Sequence, residues 1–490
     1  MSARTQARGN RARPNRKPNR SRRASSLAEQ LERLRNWLLP DERIFANLAR
    51  HGNTKWTPQC LVWLALCWGW GESKNVTDAF EGARDQCRVW DAPSLTTYQG
   101  FMNALVRWSD LLMPVLWRLI HERMQQIGGE FWQIAGWVPL GFDGSRSSVP
   151  RTVSNEQALC AANYGRGPTA RYRKKKTKGL RRRKNKQHKP QPQKPQVWTT
   201  LVWHMGLRLP WMWHLGPSNS SERGHVSHLL DTGDFPKNTL FCGDAGFVGY
   251  PLWNQIVSDG HEFLVRVGAN IKFLTEAAHC EFKRDGQVLC WPKTVRESGQ
   301  SPLRLRLIQV KTGQTRLWLL TSVLERRKLS QKQAARFYRM RWGIEVEFRG
   351  LKQTLDRGKL RCRNSRRVLT ELNWSIAAMA VAELFAIKEQ LAPTCAKRGA
   401  TADPARRSLA LTMRALRSCL RDLQHIPAAE QDLPTRLRQA VTDGYTRPSQ
   451  KRARYHPPNK DKRPIGDPKL RKLTPIEEET LDELASKLAA

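Results

Sequence analysis

Between Trp137 and Val323 the chain alternates apolar runs of strand length with helical segments, and this alternation limits the possible folds more than any other feature. GWVPLGFDG, VWTTLVWHMGL and LPWMWHLG read as strands, and a helical stretch surrounds Gly224–Leu230. NTLFCGD is another apolar strand, YPLWNQIVSDG reads as a helix and HEFLVRV as a strand. Strands interleaved with helices in this way bury the faces of a central sheet, so an α/β domain with a mixed sheet is expected. Residues Ile271 to Val323 add short alternating strands, among them LRLRLIQV and RLWLLTSV, which read as a β-rich insertion. Leu329–Leu355 then reads as one strong helix, and Thr370–Gln390 as another.

The flanks have a different texture. Residues 25–132 read as an all-helical N-terminal domain. SSLAEQLERLRNWLL places Ser26 at an N-cap, with Leu27, Leu31, Leu34 and Leu38 at helical spacing. The expected catalytic domain spans 133–390. Met1–Ala24 is rich in Arg, Asn and Pro, holds no acidic residue and reads as a disordered basic arm. Arg171–Lys194, within a loop spanning 170–196, is equally free of acids; it reads as a phosphate-contacting loop or as a solvated charge run. Residues 391–490 are basic and partly helical, with an amphipathic helix near Ser408–Leu423. The closing IEEETLDELASKLAA is acidic and is expected to pair with another chain or to fold back on basic surface.

Charge narrows the partner. With 85 Lys+Arg against 43 Asp+Glu, the 490-residue chain carries a formal net charge of +42. Such self-repulsion is best tolerated when the partner is a polyanion, and nucleic acid comes before an anionic membrane surface. On the helical N-terminal domain this charge suggests a DNA-reading module, with a scaffold that touches no DNA as the competing reading. No run approaches the roughly 20 apolar residues that span a bilayer. The most apolar one, Leu61–Trp70, reads as a buried helix, and the basic N-terminus lacks the apolar stretch of a signal peptide. The ten cysteines contain no C-x-x-C pair, and His279, Cys280 and Cys290 do not make a zinc set. A reduced, cytoplasmic protein is expected.

The chemistry-bearing residues are three acids and their neighbours. In YRMRWGIEVEFRGLK, residues Tyr338, Arg341, Glu345 and Lys352 fall on one stripe about 60° wide at about 100° per residue. Phe337, Ile344, Phe348, Leu351 and Leu355 fill the adjoining arc, which selects Glu345 over Glu347 as the acid at the rim. An ordinary i,i+4 Arg341–Glu345 pair is the competing reading. Asp143 closes one apolar strand and Asp244 another; taken singly, each reads as a turn residue. Acids at the ends of neighbouring strands can converge, and three of them need compensating cations because like charges raise one another's pKa. Oxygen ligands favour Mg²⁺ or Mn²⁺, and a pair of such ions supports in-line attack on a phosphodiester.

At these residues the sequence resembles the DDE transposases of the bacterial insertion sequence four family. Tyr338, Arg341, Glu345 and Lys352 match the Tyr-x2-Arg-x3-Glu-x6-Lys signature without gaps. DGS at Asp143–Ser145 and GDAGF at Gly243–Phe247 are similar to the first and second acid motifs, and the likeness runs from about Val138 to Leu355. The resemblance implies a ribonuclease H-like fold with a β insertion before the last catalytic helix. It implies cut-and-paste transposition, with Asp143, Asp244 and Glu345 holding two Mg²⁺ or Mn²⁺ ions and Tyr338, Arg341 and Lys352 on the DNA. It also implies a homodimer on terminal inverted repeats, with target DNA as a further partner and no membrane. Some relatives stack a flipped base on an aromatic of the insertion; Trp291 and Trp318 are the residues available, with core packing the favoured role for Trp318. A nuclease or resolvase of the same fold, and a non-catalytic DNA-binding regulator, are the alternatives.

Overall fold

The computed structural model describes residues 25–45, 48, 56–90, 95–160, 194–269, 271–275, 285–312, 315–392, 403–442 and 466–489. The basic arm 1–24, nearly all of the basic loop 171–194 and the His279–Cys280 pair lie outside these residues.

The strands are β1 (Val138–Ser148), β2 (Gln196–His204), β3 (Leu209–Pro217), β4 (Thr239–Gly243), β5 (Glu262–Val267), β6 (Lys272–Thr275), β7 (Asp285–Cys290), β8 (Leu303–Thr312), β9 (Thr315–Thr321) and β10 (Lys469–Lys472). The helices are α1 (Leu27–Leu38), α2 (Pro58–Trp70), α3 (Val76–Cys87), α4 (Tyr98–Gly128), α5 (Val153–Leu159), α6 (Glu222–Thr232), α7 (Tyr250–Ser258), α8 (Lys293–Glu297), α9 (Gln331–Met340), α10 (Gly343–Gln353), α11 (Ser365–Gln390), α12 (Leu409–Arg421), α13 (Leu433–Arg438) and α14 (Pro475–Ala489).

Half of the sheet has the order β3-β2-β1-β4-β5. β1 pairs antiparallel with β2 and β2 with β3, while β4 lies parallel to β1 and β5 parallel to β4. This is a ribonuclease H-like sheet. Its central strands read as unbroken apolar runs because both faces are covered: all five residues of β4 are buried, as are Val138–Phe142 of β1. The β-rich insertion continues the same sheet, with β9 on β5, then β8, β7, β6 and finally β10.

Helix α11 organises the remainder. Asn364 caps it, and the helix is apolar all round, as expected of a helix enclosed on every side. By length and composition it is long and apolar enough to cross a bilayer, although polar residues interrupt its apolar run, and 89% of its most apolar stretch is buried. Its neighbours include α2, α4, α12, α13 and β3. Trp70 Nε1 donates to the carbonyl of Ala378 on α11 at 2.7 Å, and Trp374 Nε1 donates to Ser109 Oγ of α4 at 2.8 Å. The first helix is tied to residues far along the chain, with Leu27 N bonded to His425 O at 2.9 Å and Ala28 N to Leu423 O at 2.8 Å. The N-terminal helices therefore share one core with the sheet and with α12 and α13.

Two local expectations are corrected, and one left open is resolved. Asp143–Gly144 is not a turn, because β1 runs on through Ser148, paired with β2 residue by residue. The helix expected over Leu329–Leu355 divides into α9 and α10. Its backbone bonds tighten to i→i+3 across the junction, from Trp342 N to Arg339 O, Ile344 N to Arg341 O and Glu345 N to Trp342 O. The reason is a close approach: a Cβ on Gly343 would stand 2.2 Å from the Trp203 ring, so the backbone itself lies on that indole. The acidic C-terminal helix folds back on its own chain. β10 adds a parallel strand to β6, Leu473 joins Leu274, Leu289 and Trp291 in a small apolar cluster, and Glu477 pairs with Arg471 and Arg296.

Candidate active site

The sheet register brings the two aspartates together. In the parallel pairing of β1 with β4, Gly141 faces Cys242, so the residues two further on, Asp143 within β1 and Asp244 just past the end of β4, stand about level. Adjacent strands lie about 4.8 Å apart. Each carboxylate is fixed locally: Asp143 Oδ1 accepts from Gly144 N at 2.8 Å, and Asp244 Oδ1 accepts from Gly246 N at 2.7 Å, capping a short turn.

Glu345 approaches from α10, which packs over β1. The link is Arg341, whose guanidinium lies 3.7 Å from Asp143 Oδ2 and 4.0 Å from Glu345 Oε1. That side chain is only 4% exposed, whereas that of Glu345 is 44% exposed. Its Nε and Nη1 have no hydrogen-bond partner. Tyr338 is buried beside it, with the Arg341 guanidinium carbon 5.6 Å from its ring centre. So the expected polar stripe is only partly at the surface: Tyr338 and Arg341 are buried and Glu345 emerges. Lys352, at the far end of α10, donates to Ser145 Oγ of β1 at 2.6 Å, and partial burial lowers its pKa. Trp318 donates to Asp467 at 2.8 Å, and Trp291 is buried with its Nε1 on Gln300 O at 2.8 Å.

Glu347, the acid not selected, is buried on the other side of α10 with Glu383 of α11 and Arg407. Burial first, and then the neighbouring Glu383 carboxyl, push Glu347 well above the usual carboxylate range. Arg407 grips Glu383 Oε1 at 2.8 Å and also donates to Leu207 O at 3.0 Å and to Arg208 O.

Sequence reasoning missed one acid. Glu222, the first residue of α6, sits against the backbone beside both aspartates. A Cβ on Gly144 would lie 2.3 Å from Glu222 Oε1, and one on Gly246 would lie 3.6 Å from Oε2. In the sequence it follows the N-cap Ser221 and looks like any acid in a helix's first turn. The signal available was its place after β3 and before β4, which faces the helix start toward the carboxyl ends of the strands.

Burial and repulsion from neighbouring carboxylates raise the proton affinity of Asp143 and Glu222. Burial leads in pushing Asp143 up to about 6, with Asp244 and Glu345 adding to it against Gly144 N–H and Arg341. Burial, then Asp143 and Asp244, push Glu222 up to about 7. Folded values above the unfolded ones mean that stability is fully present at low pH and is lost as pH rises through the folded values. Metal-free protein is thus expected to lose stability between about pH 4 and pH 7 from these two groups. Thermal unfolding in chelator should show the Asp143→Asn variant losing less over that window, by on the order of 1–2 kcal/mol. Parallel pH profiles for parent and variant would refute this.

Among the described residues no three His, Cys, Asp or Glu side chains close on a common metal position. The donor chemistry nonetheless suits a hard divalent cation, because Asp143, Asp244, Glu345 and Glu222 offer oxygen alone. Arg341 bridges two of them from within.

Fold and site together define a ribonuclease H-like domain with acids at the carboxyl ends of its central strands. Residues 167–381 match the family model of the transposase DDE domain. The match contains Asp244, Glu345 and Glu222 and begins after Asp143; it supports a DDE-type DNA transposase. No curated protein matches the chain. Among solved structures a similar one is the piggyBac transposase synaptic complex with hairpin DNA, at 12% identity over 86% of each chain, with a TM-score of 0.38.

Proposed function

We propose that this chain is a cut-and-paste DNA transposase of the insertion sequence four type, cleaving and joining DNA with Asp143, Asp244 and Glu345. The observation that carries the reading is the meeting of β1, β4 and α10: aspartates level on adjacent strands and a glutamate tied to the first of them through Arg341.

Asp143, Asp244 and Glu345 would hold divalent cations, Mg²⁺ or Mn²⁺. When bound, a pair of such ions supplies Lewis-acid activation of a water or a 3′-hydroxyl and stabilises the leaving oxygen. The chain's own residues do the remainder. β1 and β4 fix the two aspartates against backbone N–H groups, so neither has to reorganise. Arg341, backed by the Tyr338 ring, keeps two donors free for a phosphate oxygen. Lys352 and Ser145 form a polar lip where α10 meets β1, suited to a second phosphate. Hydrolysis and strand transfer then differ only in which hydroxyl is presented.

The partners on this reading are double-stranded DNA ends with inverted repeats, a target DNA and a second copy of the chain, in the bacterial cytoplasm. The test is incubation with the element's own ends, a supercoiled target and Mn²⁺. Cut ends joined to target support a transposase; cutting without joining indicates a nuclease, and binding without cutting a regulator. Binding should also weaken steeply with salt because many phosphates must shed counterions. For six to ten contacts, about 10³- to 10⁵-fold is lost between roughly 50 and 200 mM salt. Salt-insensitive binding would contradict the electrostatic part of the reading.

A further inference from the structure

We propose that Glu222 is a fourth carboxylate of the cation site, binding a divalent ion alongside Asp143 and Asp244. The inference rests on the reading of the acids given above and extends it to a residue on a different element.

Position is the first argument. The Glu222 carboxylate lies across Gly144 and Gly246, the residues that follow Asp143 and Asp244 by one and two places. Neither position has room for a side chain without meeting it or the adjacent aspartate: a Cβ on Gly246 would be 2.9 Å from Asp244 Oδ1, and one on Gly144 would meet Glu222 Oε1 first and Trp198 Nε1 next, at 2.7 Å. The two glycines leave the space through which Glu222 reaches the backbone beside both aspartates. Helix α6 holds Glu222 there, being started by Ser221, whose side chain accepts from Gly224 N, and packed on β1, β2 and β3.

A second argument is unsatisfied hydrogen-bonding capacity in the same pocket. Arg341, nine-tenths buried, has Nε and Nη1 outside any hydrogen bond, with Nη1 3.7 Å from Asp143 Oδ2. Trp198 Nε1 is buried without a partner next to the Glu222 carboxylate. Buried donors left open this way point to an oxygen-bearing ligand, here the phosphate that would accompany the cation. Arg146 lies 4.0 Å over the Trp198 ring, and its charge partly offsets the repulsion that Glu222 feels from the two aspartates. The helix-start role that would otherwise explain Glu222 requires no approach to the aspartates.

The test uses Mn²⁺ alone, titrated into the full chain without DNA and followed by the electron paramagnetic resonance of free Mn²⁺. Glu222→Gln keeps the shape and should weaken Mn²⁺ binding about ten-fold or more, while Glu222→Asp, which restores the charge, recovers part of the loss. Unfolding temperature in chelator monitors folding, and the rise on adding Mn²⁺ should shrink in the glutamine variant. Asp143→Asn serves as the reference. If that variant loses Mn²⁺ affinity and Glu222→Gln does not, the fourth-carboxylate assignment is wrong and the triad stands. If neither variant loses affinity, the cation site itself is misplaced. An aspartate variant no better than the glutamine one would also overturn the assignment.

Discussion

Asparagine in place of Asp143 should reduce cleavage of cognate DNA ends by at least about a thousand-fold, roughly 4 kcal/mol of transition-state stabilisation. The substitution is nearly isosteric, and the carboxamide oxygen can still accept from Gly144 N, as Asp143 Oδ1 does at 2.8 Å. What disappears is a negative charge held in a buried position, where a neighbouring cation is worth far more than in water. DNA affinity should stay within about three-fold, because a chain with a formal charge of +42 draws its affinity from many phosphate contacts. End cleavage and a mobility-shift titration on the same preparation separate the two effects. Wild-type cleavage by the variant would remove Asp143 from the mechanism.

A second large effect is expected far from any surface. Replacing Arg407 with alanine removes the guanidinium that grips Glu383 beside Glu347, two acids at 3% and 5% exposure. Removing one partner of a buried ion pair costs about 3–5 kcal/mol. Denaturant unfolding should register that loss. The double variant Arg407→Met, Glu383→Gln should recover a substantial part, because the stranded charge goes with its partner. A loss below about 1 kcal/mol would mean that the cluster is solvated on removal of the arginine and does not anchor α10. The stake is functional, since Glu347 is the root of the helix that presents Glu345.

The apolar run of β4 stops at Asp244 as its sequence suggests, whereas β1 continues past Asp143 to Ser148, and the parallel register of the two strands sets the level of both acids. Glu345 was separable from Glu347 by helical angle alone, and the buried Glu347–Glu383–Arg407 cluster explains what the other acid does. The details that escaped depend on contacts remote in sequence. The break at Arg341–Trp342 follows from the Trp203 indole beneath Gly343, which no local pattern announces. Tyr338 is buried because α9 packs on the insertion strand β8 and on β4 and β5, so a residue placed at the rim by its angle is covered by tertiary structure. Glu222 carries no periodic or motif signal. It becomes visible only when α6 is seen to start beside the glycines that follow the two aspartates. The fold-back of the last helix was one of two outcomes the acidic run allowed, and β10, composed of KLRK, has no strand signal of its own.

β6 gains its outer neighbour from residues 469–472, and α1 binds backbone at Leu423 and His425. Both elements are thus completed by chain far downstream, and a chain cut short before residue 469 would expose the β6 margin to pairing with other copies.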